Sequence, residues 1–371
     1  FERSSGESSD VVQKEMYRFQ DKKGRKFALR PEGTAPVVRS YIENHLDKLS
    51  SRTKLFYLGP MFRYDRPQAG RYRQFYQYGI EFIGSNNPYY DAEVIAIAFL
   101  WLNKLGLINL RLEINSVGCP ACSAVYDNVL QEYYRPFLPK LCPDCMKRLE
   151  TNPRRLLDCK VPSCIEFRKN APSQMDYLDE LCKKHFSAVC NYLQAMNITY
   201  TVNPGIVRGL DYYTNTAFEI IYEGLGAQNS LVGGGRYNGL IEQIGGKSIP
   251  AIGFAGGFER LLWALEEENI DLASAPKPDA YFVCVGENTR MQILPYLNAL
   301  RIKGLFIDYD PDKNSLKAQL KAADASGAKY AIIIGENELA AKTVNFKNLQ
   351  TGEQITIPMD AEQTIQRMRG F

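Results

Sequence analysis

Histidine is nearly missing from this sequence: two in 371 residues, His45 and His185, and neither stands in a recognisable constellation. Proton transfer through an imidazole is therefore not expected, and each is read as a surface residue or a satisfied core residue. Net charge is almost absent as well, +3 from 45 Lys and Arg against 42 Asp and Glu. A nucleic-acid partner must then be argued from local basic patches and not from overall charge. No apolar run approaches the length of a membrane span and no signal-peptide pattern is visible, so no membrane partner is expected and the cytoplasm is the expected location. Internal repeats and low-complexity tracts are also lacking. The first residue is Phe1, not Met, and the natural start is expected to lie upstream.

What is present is a globular composition, 45% hydrophobic over a length that can fill two or three cores. Nine cysteines are unevenly spread: Cys119, Cys122, Cys142, Cys145, Cys159 and Cys164 fall in one central stretch as CPAC, CPDC and CKVPSC. Pairs separated by two residues aim both thiolates at one tetrahedral ion, so a zinc site among these six is expected, through four ligands that the spacing does not single out. Reduced cytosolic thiols are the bland alternative, and a disulfide framework is least expected in a chain with this much core. Cys182, Cys190 and Cys284 sit among apolar neighbours and read as core filler.

The stretch 58–84, LGPMFRYDRPQAGRYRQFYQYGIEFIG, organises the rest. Residues 56–62 and 74–83 read as an antiparallel strand pair joined by a charged loop at 66–70. Arg63, Arg66, Arg71 and Arg73 crowd the turn, where guanidinium groups held on strand ends can grip a polyphosphate bidentately. Gln77, Gly79 and Glu81 share one face of the second strand, because side chains alternate, and such a face can bind a small polar ligand beside the phosphates. An ordinary hairpin with a basic surface loop is the competing explanation.

Before this hairpin, strands flank a turn at 21–24, Pro31 ends the second of them, and a helix is expected over 34–49 with Thr34 as a cap and Glu32 just ahead of its exposed amides. After it come a strongly apolar helix from Asp91 to near Gly106 and an alternating strand at 110–114. Residues 120–186 are helical and charged and interrupt the strands, as an inserted domain would; Lys147, Arg148, Arg154 and Arg155 in it are candidates for RNA phosphates or simply a solvated face. Strands resume at 200 and 217–222, and Gly233, Gly234 and Gly235 allow a close approach before a helix expected from Arg236. A strand and helix over 253–265 carry Glu259 and Arg260, the arginine placed to meet a phosphate beside helix N-terminal amides. Beyond a linker at 273–278, alternating strands and helices from 279 to 371 form a small α/β domain with a partly parallel sheet. The fold class expected is α/β: a catalytic α+β domain with a mostly antiparallel sheet over 1–119 and 187–272, an inserted helical domain over 120–186, and the terminal α/β domain.

The stretch FRYDRPQAGRYRQF resembles the second signature of class II aminoacyl-tRNA synthetases, in the form found in histidyl-tRNA synthetases. LRPEGT at 29–34, VRGLDYYT at 207–214, GGGRY at 233–237 and GFAGGFERL at 253–261 follow in that family's order, and the likeness covers essentially the whole chain. It implies ATP-dependent activation of L-histidine and transfer to tRNA(His), with Mg2+, by a homodimer whose last domain binds the anticodon and whose insertion approaches the acceptor stem. By the same resemblance Arg63 would bind the α-phosphate, Arg71 and Arg260 the outer phosphates, Asp65 the adenine side, and Arg208 the reacting carboxylate and α-phosphate. Glu81 and Tyr213 are then the candidates for the ring nitrogens of histidine, Glu32, Thr34 and Gln77 for its amino group, and Tyr212 and Tyr237 for the pocket walls. The chain departs from the family's usual His and Glu at Tyr64 and Asp65, and from its frequent His at Tyr76. The rival function is a regulatory relative that binds histidine without charging tRNA; such proteins tend to lose the arginine stretch and the terminal domain, both retained in this chain.

Overall fold

The computed structural model describes residues 1, 4, 9, 11–65, 70–207, 210–270 and 276–369. The chain divides into two compact units, Phe1–Ile270 and Asp271–Phe371.

In the first unit a small hairpin, β1 (Arg18–Gln20) and β2 (Lys26–Ala28), precedes helix α1 (Thr34–Glu43). The large sheet is then built from β3 (Thr53–Phe62) and β4 (Gln74–Ile83), joined in full antiparallel register from Thr53 opposite Ile83 to Phe62 opposite Gln74. After α2 (Pro88–Lys104) and β5 (Leu110–Ser116), four helices follow: α3 (Pro120–Tyr134), α4 (Pro143–Thr151), α5 (Pro162–Arg168) and α6 (Glu180–Ala195). The sheet resumes with β6 (Thr201–Val202), β7 (Thr214–Tyr222) and β8 (Ser230–Arg236), and after the short α7 (Leu240–Ile244) it closes with β9 (Ala251–Gly257) and α8 (Phe258–Glu267). Its strand order is β3-β4-β9-β8-β7-β5-β6, antiparallel throughout except for the β5-β6 pair.

One face of the sheet is dry. Tyr78, Phe82, Ile114, Phe218, Ile220 and Phe254 point into a core shared with α2 and α6, through residues such as Ile95, Leu102, Phe186, Val189 and Leu193. The limit expected at 186 for the inserted domain thus falls inside α6, whose second half belongs to this core. The other face carries the polar strand residues taken up below. The inserted helices α3 to α5 have their own cluster around Tyr126, Leu130, Tyr134, Leu149 and Leu157, with Cys145, Cys159 and Cys164 among them.

Two local expectations are revised. Helix α2 begins at Pro88, not Asp91, because Asn87 accepts the Tyr89 N–H at 2.9 Å as an N-cap. Arg236 ends strand β8 instead of opening a helix: it is wholly buried, forms paired bonds to the Asp91 carboxylate, and His185 Nε2 meets the same carboxylate at 3.1 Å. His185 is therefore the satisfied core residue expected. Burial alone would raise the Asp91 pKa, but His185 and Arg236 outweigh it and hold the carboxyl below its usual range.

The second unit has a five-stranded sheet in the order β11-β10-β12-β13-β14. Its strands β10 (Ala280–Cys284), β11 (Ile307–Asp308) and β12 (Tyr330–Ile334) are parallel, and β13 (Thr343–Asn348) and β14 (Gln354–Pro358) add an antiparallel hairpin. Helices α9 (Glu287–Ile302), α10 (Leu316–Ser326), α11 (Glu336–Ala341) and α12 (Ala361–Arg369) complete it. Phe282, Ile293, Leu297, Ile332, Ile334, Val344 and Phe346 fill its core. The expected partly parallel α/β pattern is present, with α11 as an addition.

Candidate active site

Arg63 and Asp65 lie just past β3, Arg71 just before β4, and Arg260 in the first turn of α8, so strand pairing brings residues nearly two hundred positions apart to one place. Together with Glu32, Thr34, Gln77, Tyr212 and Tyr213 they line a single cleft enclosing about 1490 Å³, solvent mouth included. Glu219 of β7 and Arg155 and Asp158 of the inserted segment also reach its wall.

The guanidinium groups are held in place by the backbone and by one another's partners. Arg63 Nε donates to the Pro31 carbonyl at 2.8 Å, and its guanidinium lies over the Phe75 ring, 5.3 Å from the centroid. Arg71 Nη1 pairs with Asp65 Oδ2 at 3.1 Å. Arg260 donates through Nε to the Gly70 carbonyl and through Nη1 to the Ser230 carbonyl, both at 3.1 Å. Burial, and then the neighbouring charges of Arg71 and Arg63, lower the Arg260 pKa. Like charges gathered this closely repel one another unless an anion joins them, so the arrangement is matched to a polyanion.

The floor of the cleft is polar and deep. Glu32 sits before α1 as expected, but it takes the capping role expected of Thr34: its two oxygens accept the N–H of Thr34 at 2.6 Å and of Ala35 at 2.9 Å. Burial raises its pKa although those amides and Arg63 pull the other way. Glu81 is buried opposite Gly253 of β9 and accepts a hydrogen bond from the Tyr237 hydroxyl. A side chain at position 253 would overlap the Glu81 carboxylate, so the glycine is what lets the acid lie against that backbone. Burial pushes the Glu81 pKa up to about 8, against the opposing pull of the Tyr237 bond. Tyr212 lies between Tyr213, tilted against it with 4.8 Å between centroids, and Tyr237, edge-on at 5.8 Å.

Three buried polar atoms on this floor meet no partner in full hydrogen-bond geometry among the described residues, Glu81 Oε1, Gln77 Oε1 and the Tyr57 hydroxyl, the Thr34 side chain being the polar neighbour of Glu81 and Tyr57. Leaving such groups unpaired costs about 1–3 kcal/mol each, so the site is built for a ligand with complementary donors and acceptors. Tyr57 belongs to none of the motifs read from the sequence. It stands opposite Gly79 on β3, on the face that Gln77 and Glu81 share across the ladder, so pairing the alternation of both strands is the signal that identifies it. Its ring lies where a side chain at Gly33 or Gly79 would have to be.

Arg208, expected beside the reacting groups, lies outside the described residues, as do Gly209 and the loop residues Arg66, Pro67, Gln68 and Ala69; Val207 and Leu210 line the cleft. Glu81 and Tyr237 are placed beneath the lining residues, joined to each other.

The cysteines divide into two groups. Cys142, Cys145, Cys159 and Cys164 have Sγ atoms all within 4.8 Å of one another, with the Cys142 N–H donating to Cys164 Sγ at 3.3 Å. Cys119 and Cys122 are not part of that set; they meet Asp179 and Cys182. Cys182 is thus not the core filler expected from its apolar neighbours, because the fold of α6 against α3 carries its thiol to the other two. All nine cysteines are unbridged.

Known proteins share both the sequence and the fold. The family described as Histidyl-tRNA synthetase matches residues 1–132 and 160–261, and the family described as Anticodon binding domain matches 279–366. The chain is 51% identical to "Histidine--tRNA ligase" of Halothermothrix orenii, over 96% of this chain and 85% of that protein. It is 49% identical to the protein of the same name from Caldanaerobacter subterraneus, over 97% of this chain and 86% of that one. Among solved structures, apo histidyl-tRNA synthetase of S. aureus superposes with a TM-score of 0.77 at 43% identity, covering 94% of this chain and 86% of that one.

Proposed function

Because this chain belongs to the histidyl-tRNA synthetase family, we propose that its cleft carries out both halves of the reaction that joins histidine to tRNA, each half through its own set of side chains. It is a class II aminoacyl-tRNA synthetase in activity, a histidine–tRNA ligase using ATP. In the first half a carboxylate oxygen of histidine attacks the α-phosphorus of ATP, the bond to pyrophosphate breaks, and histidyl-adenylate forms. In the second, the ribose hydroxyl of the 3′-terminal adenosine of tRNA(His) attacks the acyl carbon and AMP leaves.

Charge accumulates on an already anionic phosphate in the first step, and fixed guanidinium groups stabilise it without reorganising. Arg63 is assigned to the α-phosphate, Arg71 and Arg260 to the outer phosphates, and Arg208 to the junction of carboxylate and α-phosphate, where Arg63 and Arg208 act catalytically. Asp65, paired with Arg71, is assigned to the nucleotide. Mg2+ would neutralise phosphate oxygens as a Lewis acid, bound chiefly through the nucleotide; half-buried Glu219, near enough to Arg260 to favour its charge, is one of the wall carboxylates that would hold it.

Glu81, with Tyr213, is assigned to the ring nitrogens of histidine, Glu32, Thr34 and Gln77 to the amino group, and Tyr212 to the wall, while Tyr237, expected as a second wall, lies behind the lining and orients Glu81 instead. Tyr57 joins them, since its unpaired hydroxyl shares the floor with Glu81 and Gln77. A site of this kind rejects analogues by leaving its own buried groups unpaired. The convergence of three guanidinium groups over this orphaned polar floor is the observation that carries the reading.

Three further assignments rest on the same reading. Cys142, Cys145, Cys159 and Cys164 support a structural zinc, their converging thiols and the N–H bond to Cys164 suiting a tetrahedral site of four thiolates. The edge strand β3 leaves Phe56 83% and Leu58 61% exposed, which supports a homodimer. No helix among the described residues is long and apolar enough to cross a membrane, and the work of charging tRNA supports a cytoplasmic location.

The test is exchange of labelled pyrophosphate into ATP. It should depend on histidine, and Arg208→Ala should lower it by about 10²-fold or more while calorimetry still detects histidine binding. Exchange driven equally by other amino acids, or unaffected by Arg208→Ala, would overturn the assignment.

A further inference from the structure

Cys119 and Cys122 stand at the start of α3, and Asp179 and Cys182 at the start of α6, so the points where the chain leaves and re-enters the main sheet face each other. Their four ligand atoms lie within 4.8 Å of one another. The edges are 3.5 Å between Cys119 and Cys122 sulfurs, 3.9 Å between Cys122 and Cys182 sulfurs, and 3.3 Å from Cys119 Sγ to Asp179 Oδ2. A tetrahedral zinc with Zn–S of about 2.3 Å and Zn–O of about 2.0 Å has S···S edges of about 3.8 Å and S···O edges of about 3.5 Å. These three edges match that, the other three lie within 4.8 Å, and the sulfurs are far from the roughly 2.05 Å of a disulfide.

Packing alone does not account for the group. As N-cap of α6, Asp179 needs one oxygen, and Oδ1 accepts the Cys182 N–H at 2.7 Å; Oδ2 is left directed at the thiols. The Asp179 N–H donates to Cys122 Sγ at 3.2 Å, a bond that favours a thiolate. Gly118 makes the approach feasible: a Cβ there would come within 2.7 Å of Cys122 Cβ and 3.0 Å of Leu178 Cδ2.

We propose that Cys119, Cys122, Asp179 and Cys182 bind a second zinc ion, which clasps the two ends of the inserted segment and braces the wall of the cleft. The bracing runs through Asn215. Cys182 Sγ lies 3.3 Å from the side-chain amide of Asn215, whose NH2 would donate to the zinc-bound thiolate; the Asn215 N–H donates to the Gly118 carbonyl at 2.8 Å, and the Val117 N–H donates to the Asn215 carbonyl at 2.7 Å. Asn215 holds a left-handed φ of 50°, within an irregular register between β7 and β8, two residues after Tyr213. Bulges of this kind re-aim side chains beside active sites, and in this chain the one in question is Tyr213. Because Asp179 is exposed and Cys119 half-exposed, this ion exchanges with solvent more readily than one held by half-exposed Cys142 with the buried Cys145, Cys159 and Cys164.

The experiment is metal stoichiometry of the full chain by mass spectrometry, with Zn2+ and then Co2+ added to reduced, metal-stripped protein. Wild type should take up two ions, Cys182→Ser one and Cys145→Ser one, so the two centres are scored separately. Asp179→Asn keeps a helix cap but weakens a ligand; it should stay folded by circular dichroism and lose one ion to a chelator about tenfold or more faster than wild type. Alkylation of Cys119 should be slowed by Zn2+ in wild type and not in Cys182→Ser. If Cys182→Ser binds as many ions as wild type, or Zn2+ leaves Cys119 alkylation unchanged, the second centre is excluded. A wild type that binds a single ion, lost in Cys145→Ser, excludes it too and leaves the four-thiolate centre around Cys145 standing.

Discussion

Glu81 is an acid placed where water cannot follow. Its carboxyl titrates at about 8 in the folded chain against an ordinary value of 4.5. Folding therefore takes up a proton between those values, and the stability contributed by this group is complete below about pH 4.5 and lost as pH rises through 8. Glu32, raised by burial in the same way, adds to the same slope. Glu81→Gln keeps the shape and removes the titration. Thermal melting between about pH 5 and about pH 8.5 should show a flatter decline for Glu81→Gln and a higher midpoint than wild type at the alkaline end. Histidine affinity measured by calorimetry should fall about tenfold, the value of one hydrogen bond that the buried carboxyl makes and the amide does not. Equal slopes for the two proteins would show that the acid is ionised at neutral pH and that the floor is more polar than its geometry implies.

At the scale of elements, the turn before α1 and the hairpin β3-β4 depend on one another through a ring. The Tyr57 ring occupies the space beside Gly33, so Gly33→Ala must push it away from the floor, whereas Gly33 itself has an ordinary right-handed backbone and needs no special freedom. Gly33→Ala should raise the histidine KM for pyrophosphate exchange more than Tyr57→Phe does. Tyr57→Phe should cost up to about tenfold in that KM and leave the melting midpoint unchanged or higher, since it deletes an unpaired buried hydroxyl. A Gly33→Ala enzyme with an unaltered KM would mean that the ring is not held there for the ligand. The sequence was most informative where a signal is local. The apolar and aromatic content of 56–62 and 74–83 located β3 and β4, and the alternating strand and helix units beyond the linker at 273–278 located the terminal α/β pattern. It was least informative where strand register or distant packing decides. Tyr57 needed its partner Gly79, Asp179 and Cys182 needed α6 laid against α3, and Gly233–Gly235 read as a point of close approach before a helix, although pairing with β7 and β9 on both sides makes them strand. Glu32 shows the remaining limit: its place before a helix was legible, but not that both its oxygens would be occupied there.

For the whole molecule, each of the two units has its own core, so each should fold without the other. A chain ending at Ile270 should retain histidine-dependent pyrophosphate exchange within a few-fold, while kcat/KM for charging tRNA falls at least about tenfold, equivalent to about 1.4 kcal/mol of lost RNA contact. Residues 276–371 alone should melt cooperatively. Loss of exchange in the shortened chain, with its fold intact by circular dichroism, would show that the second unit serves the adenylation step.

The pairing of β4 with β9 has a consequence for how the protein is made. The central partner of β4 leaves the ribosome only after about 170 further residues, roughly 10–30 s at ordinary elongation rates. Until then the hairpin that carries the arginines has a bare flank. The helices of the insertion, whose contacts are mostly among near neighbours, have that interval in which to organise first, so the nascent chain meets its longest exposure to aggregation with its peripheral part already folded and its catalytic sheet still open.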